Sequence, residues 1–186
     1  MALAPRPVTL EEFLRLPEEK PAFEFEDGRI IQKVPPKGRH SSIQATITEL
    51  VNHFGRSRRV AFAFPEPRTT FAGHSHVPDI AIYQWQRIPK TSEGTICDDF
   101  LVPPDVAVEI ASPDQSVNAL VRRCLWYVAN GVGAALLVDP TDRSVLIFRA
   151  EHLPRILHGA DRIDLSDVLP GFDLIVQDVF DSAELL

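Results

Sequence analysis

Between residues 40 and 54 the apolar positions Ile43, Ile47, Leu50, Val51 and Phe54 recur at three- and four-residue intervals. That period fits one face of an α-helix, and Gly55 reads as its closing residue. Upstream, Thr9 followed by Glu11 and Glu12 predicts a short capped helix that stops near Pro17. In FEFEDGRIIQKV two extended runs flank Asp27-Gly28, a pair suited to a two-residue hairpin turn. Extended segments follow at Arg59 to Phe64, Val77 to Tyr83, Asp105 to Ile110, Ala134 to Val138 and Ser144 to Arg149. A further helix, Ser116 to Asn130, ends at Gly131 and interrupts this series. The tail around Leu169-Pro-Gly-Phe predicts short elements and a final helical turn. Residues 84–104 form the longest irregular connection, and long loops often carry function.

The core order is therefore helix, three strands, helix, strand. Helices that cross between strands imply a sheet with helices packed on it. The expectation is one α/β (α+β) domain over 1–186, with a core at about 20–150, an N-terminal hairpin and a C-terminal extension over 151–186.

Composition narrows the class. Hydrophobic residues make up 45% and charged residues 24%, so the chain can build an ordinary globular core. No apolar run approaches the ~20 residues of a membrane span, and MALAPRPVTLEEF lacks the shape of a signal peptide. A cytoplasmic location is expected. Cys97 and Cys124 share no CxxC spacing and are expected to be free thiols. The net charge of −7 argues against coating nucleic acid by bulk electrostatics but leaves room for a local basic groove.

The informative residues are acidic. In DVAVEIA, alternation sends Val106, Val108 and Ile110 to one face and Asp105, Ala107, Glu109 and Ala111 to the other. A buried carboxylate between two alanines needs a cation, a donor or a metal. Asp79 opens a second apolar strand, PDIAIY. If the two strands are neighbours, Asp79 and Glu109 can share one hard divalent ion. Asp105 cannot join Glu109, because four residues of one strand span roughly 13 Å. It reads as a strand-start residue. The plainer alternative leaves Asp79 at a loop end and Glu109 satisfied by an arginine.

The stretches FEFEDGRI, RHSSIQATITEL, VPDIAIY, PPDVAVEIASP, RRCLWYVANGV, ALLVDP and VLIFR, in this order, resemble the Uma-type restriction endonucleases. These are a branch of the PD-(D/E)XK, or restriction endonuclease-like, nuclease superfamily. The resemblance implies a mixed sheet flanked by helices, with core order α-β-β-β-α-β. It also implies phosphodiester hydrolysis of DNA dependent on Mg²⁺, with Mn²⁺ as an alternative. Asp79 matches the motif's aspartate and Glu109 its acidic partner, both as metal ligands. Glu24 matches a further acidic position, and His40 a histidine before the first core helix.

The chain departs from the pattern at the lysine. The position two residues after the acid is Ala111. The helix position from which the Uma-type branch supplies its lysine, four residues before Tyr127, is Arg123. Arginine stays protonated and cannot act as a base, yet it can hold a phosphate. The alternative is a catalytically impaired relative that binds nucleic acid or protein. A homodimer is expected, since cutting both strands of a duplex usually calls for two active sites.

Other candidates are weaker. Arg56, Arg58 and Arg59 form a basic cluster that contacts a nucleic-acid backbone or simply faces solvent. His74 and His76 invite a zinc reading, without further ligand spacing to support it. Trp126 and Tyr127 read as packing residues, with Tyr127 a possible accessory to the site.

Overall fold

A computed structural model describes residues 7–181 and 183 of the chain. The first residues of the N-terminal stretch read above for a signal sequence lie outside the described residues, as do the chain's last three.

Helix α1, Leu10–Leu14, starts with a reciprocal capping box between Thr9 and Glu12. Strands β1, Phe23–Glu26, and β2, Arg29–Gln32, form the expected hairpin. Asp27 and Gly28 both take positive φ, 49° and 76°, as a two-residue turn of right-handed twist requires.

Helix α2, Gly38–Arg58, runs past the predicted stop at Gly55. Gly55 is a packing glycine rather than a terminator. A Cβ there would sit 2.4 Å from the Ala61 carbonyl oxygen, so only glycine lets the following strand lie this close. The left-handed residue that ends the helix is Arg59, at φ 53°.

The chain continues through β3, Ala61–Pro65, and a short hairpin of β4, Thr69–Phe71, and β5, His74–His76. The sequence reading missed this hairpin. Strands β6, Ile80–Gln84, and β7, Val106–Ile110, follow. Helix α3, Val117–Ala129, then leads to β8, Ala134–Asp139, and β9, Ser144–Phe148. The C-terminal region adds β10, Arg155–His158, and α4, Val176–Asp181.

The strands form two sheets. The larger has order β10-β9-β8-β7-β6-β3, and the smaller β2-β1-β5-β4. Within the larger, β7 and β8 are parallel and the other pairs antiparallel. The parallel pair needs a crossover, which α3 supplies. The buried faces of α2 and α4 cover one side of this sheet against Val106, Val108 and Ile110. Leu120, Cys124 and Tyr127 of α3 cover the other against Ala107, Ala135 and Leu137. The small sheet meets α3 through His74, which stacks on Trp126 at 4.4 Å between ring centroids. Trp126 is thus a packing residue. Both cysteines are free.

Candidate active site

The larger sheet brings the two motif acids together by register. Ile80 pairs with Val108 and Ala81 with Ala107, so one step further sets Asp79 opposite Glu109. Directly opposed residues of an antiparallel pair have Cβ atoms ~5 Å apart. The Asp79 Oδ2 atom accepts the backbone N–H of Ile110 at 2.7 Å, which ties the two strand ends to each other. Glu24 arrives from β1, where its Oε1 accepts the backbone N–H of Val77 at 2.8 Å. All three carboxylates are at most 2% exposed.

Basic side chains interleave with these acids. Arg123, one turn before Tyr127 on α3, grips Glu24 with two hydrogen bonds of 3.1 and 2.6 Å. The same guanidinium stands 3.8 Å from Glu109 Oε1. Tyr127 donates its hydroxyl to that oxygen at 2.8 Å. His40, at the start of α2, places Nε2 2.9 Å from Asp79 Oδ2. Lys33 donates to Asp79 Oδ1 at 2.7 Å, to the Val77 carbonyl at 2.9 Å and to Glu66 at 3.2 Å. Gln44 of α2 holds the Asp79 backbone carbonyl at 2.8 Å.

These surroundings split the acids electrostatically. Burial alone would raise the Asp79 carboxyl, but the His40 hydrogen bond and the Lys33 charge outweigh it and hold it below its ordinary value. Glu109 goes the other way. Burial, reinforced by the charges of Asp79 and Glu24 and only partly offset by Arg123 and Lys33, lifts it to about 7. Arg123 is held above its ordinary value because Glu109 and Glu24 outweigh its own desolvation. Burial drives Tyr127 up as well, so it remains a hydrogen-bond donor.

The structure therefore gathers Asp79, Glu109, Glu24, Arg123, His40 and Tyr127 in one place. It does not bring Arg56, Arg58 and Arg59 there. They lie at the C-terminal end of the helix that carries His40 in its first turn, about 24 Å or more away at 1.5 Å per residue. Two of them lie over rings of their own neighbourhood, Arg58 on Phe54 at 4.4 Å and Arg56 on Phe62 at 6.0 Å. His74 faces Asp27 at 3.2 Å. Burial lowers His76 to about 2 and keeps its ring neutral. Asp105 accepts the Gln84 N–H at 2.7 Å and a guanidinium N–H of Arg87, and so fastens the 84–104 loop.

Sequence reasoning missed Lys33, Glu66 and Gln44. Lys33 carried a signal: it is one of four lysines and ends an extended run. Its relevance depends on the β4–β5 turn-back, which carries Val77 and Asp79 up to the hairpin.

The acids suit a hard divalent ion, which takes one or two carboxylates and keeps several waters. Asp79 and Glu109 offer that pair. Among the described residues no three His, Cys, Asp or Glu side chains group to form a larger cage. This counts equally against the zinc reading of His74 and His76. Beside the acids lies a cleft of about 520 Å³ that Glu24 lines but Asp79 and Glu109 do not; its charged walls are mixed, with Arg29, Lys33, Arg122 and Arg123 facing Glu26, Asp27 and Asp114.

Comparison with known proteins bears on the family and the fold. The sequence profile of the family named Uma2, described as "Putative restriction endonuclease", matches residues 10–177. No curated protein matches the chain. Among solved structures, the chain is similar to the crystal structure, at 1.96 Å, of a putative nuclease belonging to DUF820 from Anabaena variabilis ATCC 29413. The two are 36% identical with a TM-score of 0.91, over 96% of this chain and 100% of that one. The mixed α+β architecture is thus that of a nuclease fold.

Proposed function

The chain belongs to the Uma2 family of restriction endonuclease-like proteins, and from that premise we propose that it is a divalent-metal-dependent endonuclease acting on DNA. The observation that carries the reading is the opposed placement of Asp79 and Glu109 on adjacent strand ends, with Arg123 standing 3.8 Å from Glu109 and itself lining the neighbouring cleft. Asp79 and Glu109 would hold the ion, Mg²⁺ or Mn²⁺. When bound, such an ion neutralises phosphate charge and acidifies a water.

The protein's own groups do the rest. Arg123 stays protonated, so its part is to receive the phosphate rather than to take a proton. Glu24 aims the guanidinium by its two-point grip. Tyr127 fixes the rotamer of Glu109, and His40 that of Asp79. Cutting both strands of a duplex usually calls for two such sites, so a homodimer belongs to the proposal.

The test is cleavage of supercoiled and linear DNA with Mg²⁺ or Mn²⁺, run beside Glu109→Gln and Asp79→Asn. Nicking or linearisation that both substitutions abolish supports the enzyme. Equal background in all three proteins overturns it. A second reading is a binding module that has lost turnover. It draws on one observation: Asp79 and Glu24 are already neutralised by Lys33 and Arg123. Retarded migration of DNA without any cleavage would mark that outcome.

A further inference from the structure

The ammonium of Lys33 occupies Asp79 Oδ1, while His40 and the Ile110 N–H hold Oδ2, so no oxygen of this carboxylate is without a partner. The ammonium lies 2.7 Å from Asp79 Oδ1, and both side chains are more than nine-tenths buried. Lys33 is not part of any acidic-motif pattern. It ends the N-terminal hairpin rather than following the second acid, and with Glu24 it lines the adjoining cleft. Its remaining partners differ in kind from Asp79. Val77 offers a fixed backbone carbonyl at 2.9 Å, and Glu66 a half-exposed carboxylate at 3.2 Å. The ammonium can therefore give up Asp79 and still keep two acceptors. A lysine with Asp79 as its sole partner would leave a bare buried charge on release, at prohibitive cost.

We infer that Lys33 is the resident counter-ion of the site: a divalent cation binds Asp79 only by displacing the Lys33 ammonium, and Glu66 is the carboxylate that holds the displaced charge. The inference rests on the metal-dependent reading above and deepens it. It makes ion entry an exchange of one cation for another. It also explains how buried acids avoid mutual repulsion before an ion arrives, since each of two acids carries its own cation. Lys33 is on this account a positioning residue that sets metal affinity.

The test is calorimetric titration of the whole protein with MnCl₂, without nucleic acid. Lys33→Met keeps the length of the stem and removes the charge. It should bind Mn²⁺ more tightly by on the order of ten-fold or more, the scale of a close charge pair. Glu66→Gln, at a half-exposed position, should weaken binding several-fold. In the Lys33→Met background the Glu66→Gln effect should vanish, because the displaced charge it served is gone. Unchanged or weaker affinity in Lys33→Met overturns the inference while leaving the metal site standing. So does an equal Glu66→Gln effect in both backgrounds. If the natural protein and Lys33→Met both fold, judged by circular dichroism, and neither takes up Mn²⁺, the metal-dependent reading falls and this inference with it. Should Lys33→Met fail to fold, Glu66→Gln in the natural background decides, and an unaltered affinity there overturns the proposal.

Discussion

Replacing Glu109 by glutamine should stabilise the folded protein above neutral pH while abolishing any cleavage. Glu109 is fully enclosed, and burial with the charges of Asp79 and Glu24 raises its carboxyl from 4.5 to about 7. That rise corresponds to about 3 kcal/mol of preference for the protonated form. The sign follows from linkage. A carboxyl whose folded value is raised favours folding fully below its unfolded value, and the benefit is lost as pH climbs through the folded value. Between about pH 4.5 and pH 7 the natural protein should therefore lose about 3 kcal/mol that Glu109→Gln does not lose. Groups distant from the site are common to both proteins and cancel in the difference, whereas Asp79, Glu24, Lys33 and Arg123 feel the lost charge directly. Glutamine keeps an oxygen to accept the Tyr127 hydroxyl, now at 2.8 Å from Glu109, so the packing contact survives. The assay is urea denaturation of both proteins at pH 5 and pH 8.5. Stability differences that stay the same at the two pH values would refute the reasoning, because Glu109 would then have no folded-state penalty. A buried carboxylate that costs stability fits a site shaped for function.

Further predictions concern the frame of the site. Gly55→Ala should destabilise by roughly 1–3 kcal/mol or more, since its Cβ would meet the Ala61 carbonyl at 2.4 Å; an unshifted denaturation midpoint would contradict the packing account. Arg123→Ala strands buried Glu24 and should lower stability by ~3 kcal/mol or more, whereas Arg123→Lys, keeping the charge but one hydrogen bond fewer, should recover much of the loss in a thermal melt. Arg87→Ala unfastens Asp105 and should speed proteolysis within residues 84–104 with DNA cleavage unchanged; equal digestion rates would show that the loop is anchored by other contacts.

Much of this was legible from pattern. The hairpin at Asp27-Gly28 followed from two residues that tolerate positive φ. The placement of Glu109 among alanines opposite the apolar face of β7 followed from strand alternation. Asp105 was separable from Glu109 by rise per residue alone, and the structure gives it a loop-fastening partner instead. Gly55 misled because glycine both ends helices and permits close backbone approach, and sequence does not distinguish these uses. The β4–β5 hairpin escaped because its strands have three residues each, too few to show a period. With it escaped Lys33, whose partners Val77 and Asp79 reach the hairpin only through that turn. Long-range pairing between β1 and β5, seen at Phe25 and Ser75, leaves no local trace in either segment.

The central claim is that one divalent ion sits between Asp79 and Glu109. Diffraction from crystals soaked in MnCl₂, collected near the manganese edge, addresses it directly. The account predicts an anomalous peak at coordination distance, about 2.0–2.6 Å, from a carboxylate oxygen of each residue, with the Lys33 ammonium withdrawn from Asp79. Well-ordered crystals that show no peak between these acids, with Lys33 still on Asp79 at saturating Mn²⁺, would contradict it.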